Sequence, residues 1–71
     1  MNAKLIIQTI INEKKSANEY PLLATNFDIL KFIEKHNLDK PAIFAELTQL
    51  VENNEAKYGS CVFGSAKYYE L

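Results

Sequence analysis

The chain has 71 residues, 48% hydrophobic and 24% charged, with eight cations against nine carboxylates for a net charge of −1. Disorder needs low hydrophobicity with high net charge, so the composition excludes it and is that of an ordinary globular domain. All the cations are lysine, since the chain holds no arginine.

Other classes fall to single residues. Cys61 is the only cysteine and His36 the only histidine, so neither an intrachain disulfide nor a His/Cys zinc site of ordinary spacing is predicted. No metal and no cofactor are expected. The apolar start is short and is broken by Gln8 and Thr9, so no secretory leader is predicted. No run approaches the ~20 apolar residues of a membrane span. A reducing cytoplasmic setting, without membrane attachment, is the expectation. The length suits one domain over residues 1–71, and a chain this small buries only about 60% of its unfolded surface. With no disulfide or metal to help, oligomerisation is the expected support, as a homodimer.

Residues 2–15 read as a helix capped by Asn2, with Lys14 and Lys15 at its C-terminal end where cations favour the helix dipole. Leu5, Ile6, Ile7, Ile10 and Ile11 spread over roughly 240° of its circumference, wider than a one-sided stripe. Ile7 and Ile11, four apart on one flank, are predicted to meet either a second subunit or a later segment of the same chain.

A connector over 16–24 follows. Pro21 biases Tyr20 away from helical angles, and Tyr20 to Ala24 can hold a very short edge strand. Thr25-Asn26-Phe27-Asp28 has the form of a capping box opening a second helix over 26–37, with Ile29, Leu30, Phe32 and Ile33 inward. His36 falls at the edge of that apolar side. Asn37-Leu38-Asp39 is a tight turn. Asp39 is the expected cap of a third helix, with Pro41 in its first turn. Ile43, Phe44, Leu47, Leu50 and Val51 give that helix the clearest stripe in the chain, running to about Asn54.

The tail changes to strand period. Tyr58 to Phe63 and Ala66 to Leu71 flank Gly64-Ser65, a pair suited to a two-residue type II′ turn. That hairpin pairs Phe63 with Ala66, Cys61 with Tyr68 and Ser60 with Tyr69. The expected inward face is Phe63, Cys61 and Tyr68, with Val62 and Tyr69 outward.

Helix, short extended piece, helix, turn, helix, hairpin is the element order of a winged helix-turn-helix, an α+β fold that is mainly α. Lys67-Tyr68-Tyr69-Glu70-Leu71 resembles the second wing strand of PadR-type and related bacterial regulators. Pro41-Ala42-Ile43-Phe44-Ala45-Glu46-Leu47, through Leu50 and Glu52, resembles their recognition helix, and Phe27 to Ile33 is similar to the helix before it. The likeness covers about residues 26–71. It implies transcriptional regulation by DNA binding. The chain departs from the pattern where those regulators carry bases. The turn is Gly64-Ser65, and the outer face of the third helix shows Ala42, Ala45, Glu46, Gln49, Glu52 and Asn53. Over 40–71, Lys40, Lys57 and Lys67 stand against Glu46, Glu52, Glu55 and Glu70. No C-terminal dimerisation helix is predicted.

The residues do not suggest an enzyme. No second His or Cys completes a triad, no Gly-rich phosphate loop exists, and Glu52 with Glu55 reads as a solvated helix face. Two readings remain. In the first, the protein binds DNA as a dimer, with Lys40 on phosphate, Gln49 as an adenine reader, and Lys57 and Lys67 touching backbone. In the second, the same fold is a non-catalytic protein-binding module, an inhibitor or adaptor. It would present Glu46 and Glu52 on an acidic helix face, with Tyr58, Tyr69 and Tyr20 as interfacial aromatics and Ile7 and Ile11 as apolar contacts.

Overall fold

The computed structural model describes residues 2–60 and 67–71. In order they form α1 (Ala3–Ser16), β1 (Ala24–Thr25), α2 (Asn26–His36), α3 (Lys40–Glu52), β2 (Lys57–Ser60) and β3 (Lys67–Glu70). The strands make an antiparallel sheet in the order β1-β3-β2. This is the expected α+β, mainly helical, winged-helix-like layout.

Local chemistry sets the helix ends. The Asn2 side chain accepts from the Leu5 N–H at 2.8 Å and opens α1. At α2 the capping box is complete: Thr25 Oγ1 accepts from the Asp28 N–H at 3.1 Å, and Asp28 Oδ2 accepts from the Thr25 N–H at 3.0 Å. Asp39 occupies the cap position of α3, but its side chain makes no capping bond. Pro41, in the first turn, lacks an N–H, so fewer donors need a cap there.

All three helices stop the same way. Asn18, Asn37 and Asn54 each adopt left-handed backbone, with φ of 61°, 52° and 61°. Each is bracketed by a Schellman pair of hydrogen bonds: Glu19 N–H to Lys14 O with Asn18 N–H to Lys15 O, then Leu38 to Ile33 with Asn37 to Glu34, then Glu55 to Leu50 with Asn54 to Val51. Asparagine does here what glycine usually does, because its short polar side chain tolerates that region.

The core is built around α1, which packs on α2, α3 and β1. Ile6, Ile7, Ile29 and Leu47 are fully buried, joined by Ala3, Ile10, Ala24, Phe32, Ile33, Ile43 and Tyr69. The wide apolar arc of α1 is therefore mostly covered from within the chain. For Ile7 the later-segment alternative holds: the residue is 0% exposed and has no area left for a second subunit. Ile11 remains half-buried. His36 is exposed, its ring 4.3 Å from that of Phe32 one turn earlier.

The sheet corrects two expectations. Tyr58 faces Tyr69, Gly59 faces Tyr68 and Ser60 faces Lys67, a register displaced by two residues from the expected one. The inward residue of β3 is Tyr69, 6% exposed, while Tyr68 is on the opposite face. A two-residue displacement does not change which side chains share a face, so the face was assigned wrongly for a separate reason. β3 is the central strand, and Tyr69 lies between Ala24 of β1 and Tyr58 of β2. Small, fully buried Ala24 leaves room for it. On the other face the Tyr68 ring lies across Gly59, where an added Cβ would sit 2.6 Å from the Tyr68 hydroxyl. The expected turn at Gly64-Ser65 and the inward Cys61 and Phe63 lie outside the described residues.

One ion pair ties three segments together. Lys14 Nζ donates to the Leu23 carbonyl at 2.6 Å and lies 2.7 Å from Asp28 Oδ2. Burial raises the Asp28 pKa, but hydrogen bonds from Lys14 and Thr25, with the Lys14 charge, outweigh it and hold the carboxyl below its ordinary value. A depressed carboxylate stabilises the fold above its unfolded pKa, about 3.9, and loses that contribution as pH falls through the folded value. Urea unfolding of the wild type is expected to show stability dropping as pH falls below about 4, and Asp28→Asn to flatten that drop. At pH 7, Asp28→Asn and Lys14→Met are each expected to cost about 1–3 kcal/mol.

Candidate interaction surface

The outer surface of α3 exposes Lys40, Pro41, Ala42, Ala45, Thr48, Gln49, Glu52 and Asn53. Past Lys40 in its first turn, that surface has no base. Glu46 does not belong to it. It is half-buried, and its Oε1 accepts from the Ala3 N–H at 3.2 Å, at the positive end of the α1 dipole. Its carboxylate thus supports the start of α1 across the α1–α3 contact.

The four residues expected on DNA do not gather. Lys40 opens α3, while Gln49 turns toward the N-terminal end of α1, sharing a shallow depression with Asn2, Lys4, Glu46 and Glu55. Lys57 is paired across the sheet with Glu70, at the opposite end of β2 from Ser60. Lys67 donates to the Ser60 hydroxyl at 2.6 Å. Two further lysines are engaged elsewhere, Lys14 with Asp28 and Lys4 with Glu55 at 4.0 Å.

The residues expected at a protein interface divide differently. Glu52, Tyr58 and Tyr69 come together, with Thr48 and Val51, around a depression of about 240 Å³ between α3 and the sheet. The register creates it: with Tyr58 opposite Tyr69, both rings stand on the face toward α3, 5.0 Å apart between centroids. Tyr58 is 47% exposed and Tyr69 only 6%, so Tyr58 offers the contact area and Tyr69 the floor. Burial raises the Tyr69 pKa, and the neighbouring Tyr58 adds to the rise. No lysine lines this depression.

A second and larger groove, about 580 Å³, runs beside α1 and is lined by Ile11, Tyr20, Leu22, Leu23 and Leu71 among others. Leu22 and Leu71 were not singled out from the sequence. The signal was the leucine pair after Pro21, which looked like strand rather than a groove wall. Among the described residues no three His, Cys, Asp or Glu side chains gather where they could share a metal ion. Nor is any described helix long and apolar enough to cross a membrane.

The two acids of α3 are expected to respond differently. Glu46→Ala removes an acceptor at a helix start and should cost about 1 kcal/mol in urea unfolding. Glu52→Ala should stay within about 0.5 kcal/mol.

No family model matches the chain, and no curated protein or solved structure is significantly similar to it.

Proposed function

We propose that this protein is a small, non-catalytic winged-helix regulatory module that acts by binding another protein. The observation that carries the reading is the depression between α3 and the sheet, where Glu52, Tyr58 and Tyr69 meet with no lysine among its lining residues. Aromatic residues with both a ring and a hydroxyl are enriched at protein interfaces and among their energetically dominant positions. An adjacent carboxylate favours a partner presenting a basic or hydrogen-bond-donating group beside apolar surface. The same carboxylate repels phosphate, the group on which nucleic-acid affinity mainly rests.

A second reading, DNA binding as a transcriptional regulator, is favoured by the winged-helix-like element order and by exposed Lys40, Lys57 and Lys67. Fold alone is an associational warrant, because one fold hosts many functions. The scatter of the lysines, and the use of Lys4 and Lys14 in ion pairs, leaves that reading the weaker.

Titration of the purified protein against a mixed-sequence DNA duplex, from about 20 to 200 mM salt, separates the two. The expected result is no salt-dependent binding at any concentration of salt. Binding that weakens steeply with salt would establish phosphate contacts and overturn the protein-binding reading. In parallel, a photo-crosslinker placed at position 58 in cells is expected to capture a protein, and one placed at position 40 to capture none.

A further inference from the structure

The depression between α3 and the sheet is rich in hydrogen-bond acceptors. Thr48 and Glu52 stand one turn apart on the same side of α3, with Val51 beside them, and Tyr58 and Tyr69 complete the lining. The Thr48 hydroxyl gives its proton to the Phe44 carbonyl at 3.0 Å, within the helix, so toward the depression it can only accept. Glu52, as a carboxylate, likewise only accepts. Tyr58 adds a hydroxyl that can accept as well as donate.

The same surface carries an unanswered negative charge. Among the described residues the ion pairs are Lys4 with Glu55 and Lys14 with Asp28, and neither involves Glu52. Lys57 precedes Tyr58 in β2, so its side chain stands on the opposite face of the sheet, across from Glu70. The rings reinforce the field, because an aromatic face is the negative side of its quadrupole. Tyr58 is 47% exposed and leans on Tyr69, with 5.0 Å between centroids and 55° between planes. Buried Tyr69 thereby holds the Tyr58 ring in place before a partner arrives, which lowers the ordering cost of binding.

We propose that the depression receives an arginine side chain of the partner protein, its guanidinium lying on the Tyr58 ring and donating to Glu52 and Thr48, an assignment that rests on the protein-binding reading. Guanidinium has five N–H donors and no acceptor, the complement of this lining. It is planar and weakly hydrated, and it stacks on aromatic faces. An ammonium is a compact, strongly hydrated charge that loses more on leaving water. An apolar side chain would cover Glu52 without giving it a partner. The volume, about 240 Å³, falls below the roughly 300–1,000 Å³ of small-molecule pockets and suits a single side chain.

Blocked Gly-Xaa-Gly peptides with arginine, citrulline, lysine or leucine at the centre, titrated to about 50 mM at constant ionic strength into the isotope-labelled whole chain, test this by amide chemical shifts. The arginine peptide is expected to move the signals of Thr48, Val51, Glu52 and Tyr58. The lysine peptide should bind at least about threefold more weakly, and the citrulline and leucine peptides should leave these signals in place. Glu52→Gln, at an exposed position outside the core, should weaken the arginine peptide at least about threefold. Glu70→Gln, an equal change of charge on the opposite face of the sheet, should not. Citrulline, leucine or lysine matching arginine would overturn the assignment, as would signals that no peptide moves. Any of those results beside a protein captured at position 58 removes the arginine and leaves the protein-binding reading standing. Failure of that capture removes the reading itself.

Discussion

The carboxylate of Asp28 is the point on which the arrangement of this fold depends. One oxygen, Oδ2, accepts from the Thr25 N–H, from the Thr25 hydroxyl at 2.9 Å and from Lys14 at 2.7 Å. Lys14 also takes the Leu23 carbonyl, so the end of α1, the connector and the start of α2 converge on one ion pair. Its side chains are only 19% and 28% exposed, so solvent screens it less than a surface pair. Partial burial also makes either partner costly to leave alone, which restricts the connector to one path. That path places Ala24 and Thr25 where they add to β3 as a third strand. A two-stranded hairpin is marginal by itself, and the added strand makes it a sheet that packs on helices.

From that constraint the role of α1 follows. An isoleucine-rich helix with a wide apolar arc suits the centre of a small fold, and α2, α3 and β1 all close on it. What the fold leaves uncovered on that arc is Ile11, half-buried, with exposed Leu5. Ile11 lies on the flank where the connector opens a groove. Ile11 thus borders both the core and the groove.

Features governed by neighbours in sequence were legible without coordinates. The Asn2 cap, the Thr25/Asp28 box and the α3 stripe involve residues within one or two turns of each other, so spacing alone carries them. The three Schellman endings are equally local, but their signal, Asn18, Asn37 and Asn54, was not read as a left-handed helix ending. What escaped depends on segments far apart in the chain. Glu46 looked like a solvated acid because nothing near it in sequence reveals the α1 N-terminus 43 residues away. Tyr69 looked outward because Phe63, Cys61 and Tyr68 together carry the larger apolar weight of the two faces. Only β1, more than forty residues earlier, makes β3 central and turns Tyr69 inward. Lys14 was read as a favourable charge at a helix end, when its larger part is to hold Asp28.

Charge is where the fold and its common use separate. A winged helix that grips DNA needs cations converging where the third helix and the wing meet phosphate. Here the cations are spent or spread. Lys14 and Lys4 are ion-paired, Lys57 stands opposite Glu70, and Lys31 and Lys35 are on α2. Meanwhile Glu52 stands where α3 meets the sheet, beside two tyrosines. None of this strains the fold, because its stability rests on isoleucines, caps and one ion pair, none of which depends on the sign of the outer surface. The same scaffold can therefore carry a phosphate-binding or a protein-binding surface according to a few exposed side chains, and in the function proposed for this chain the α3 surface is of the second kind.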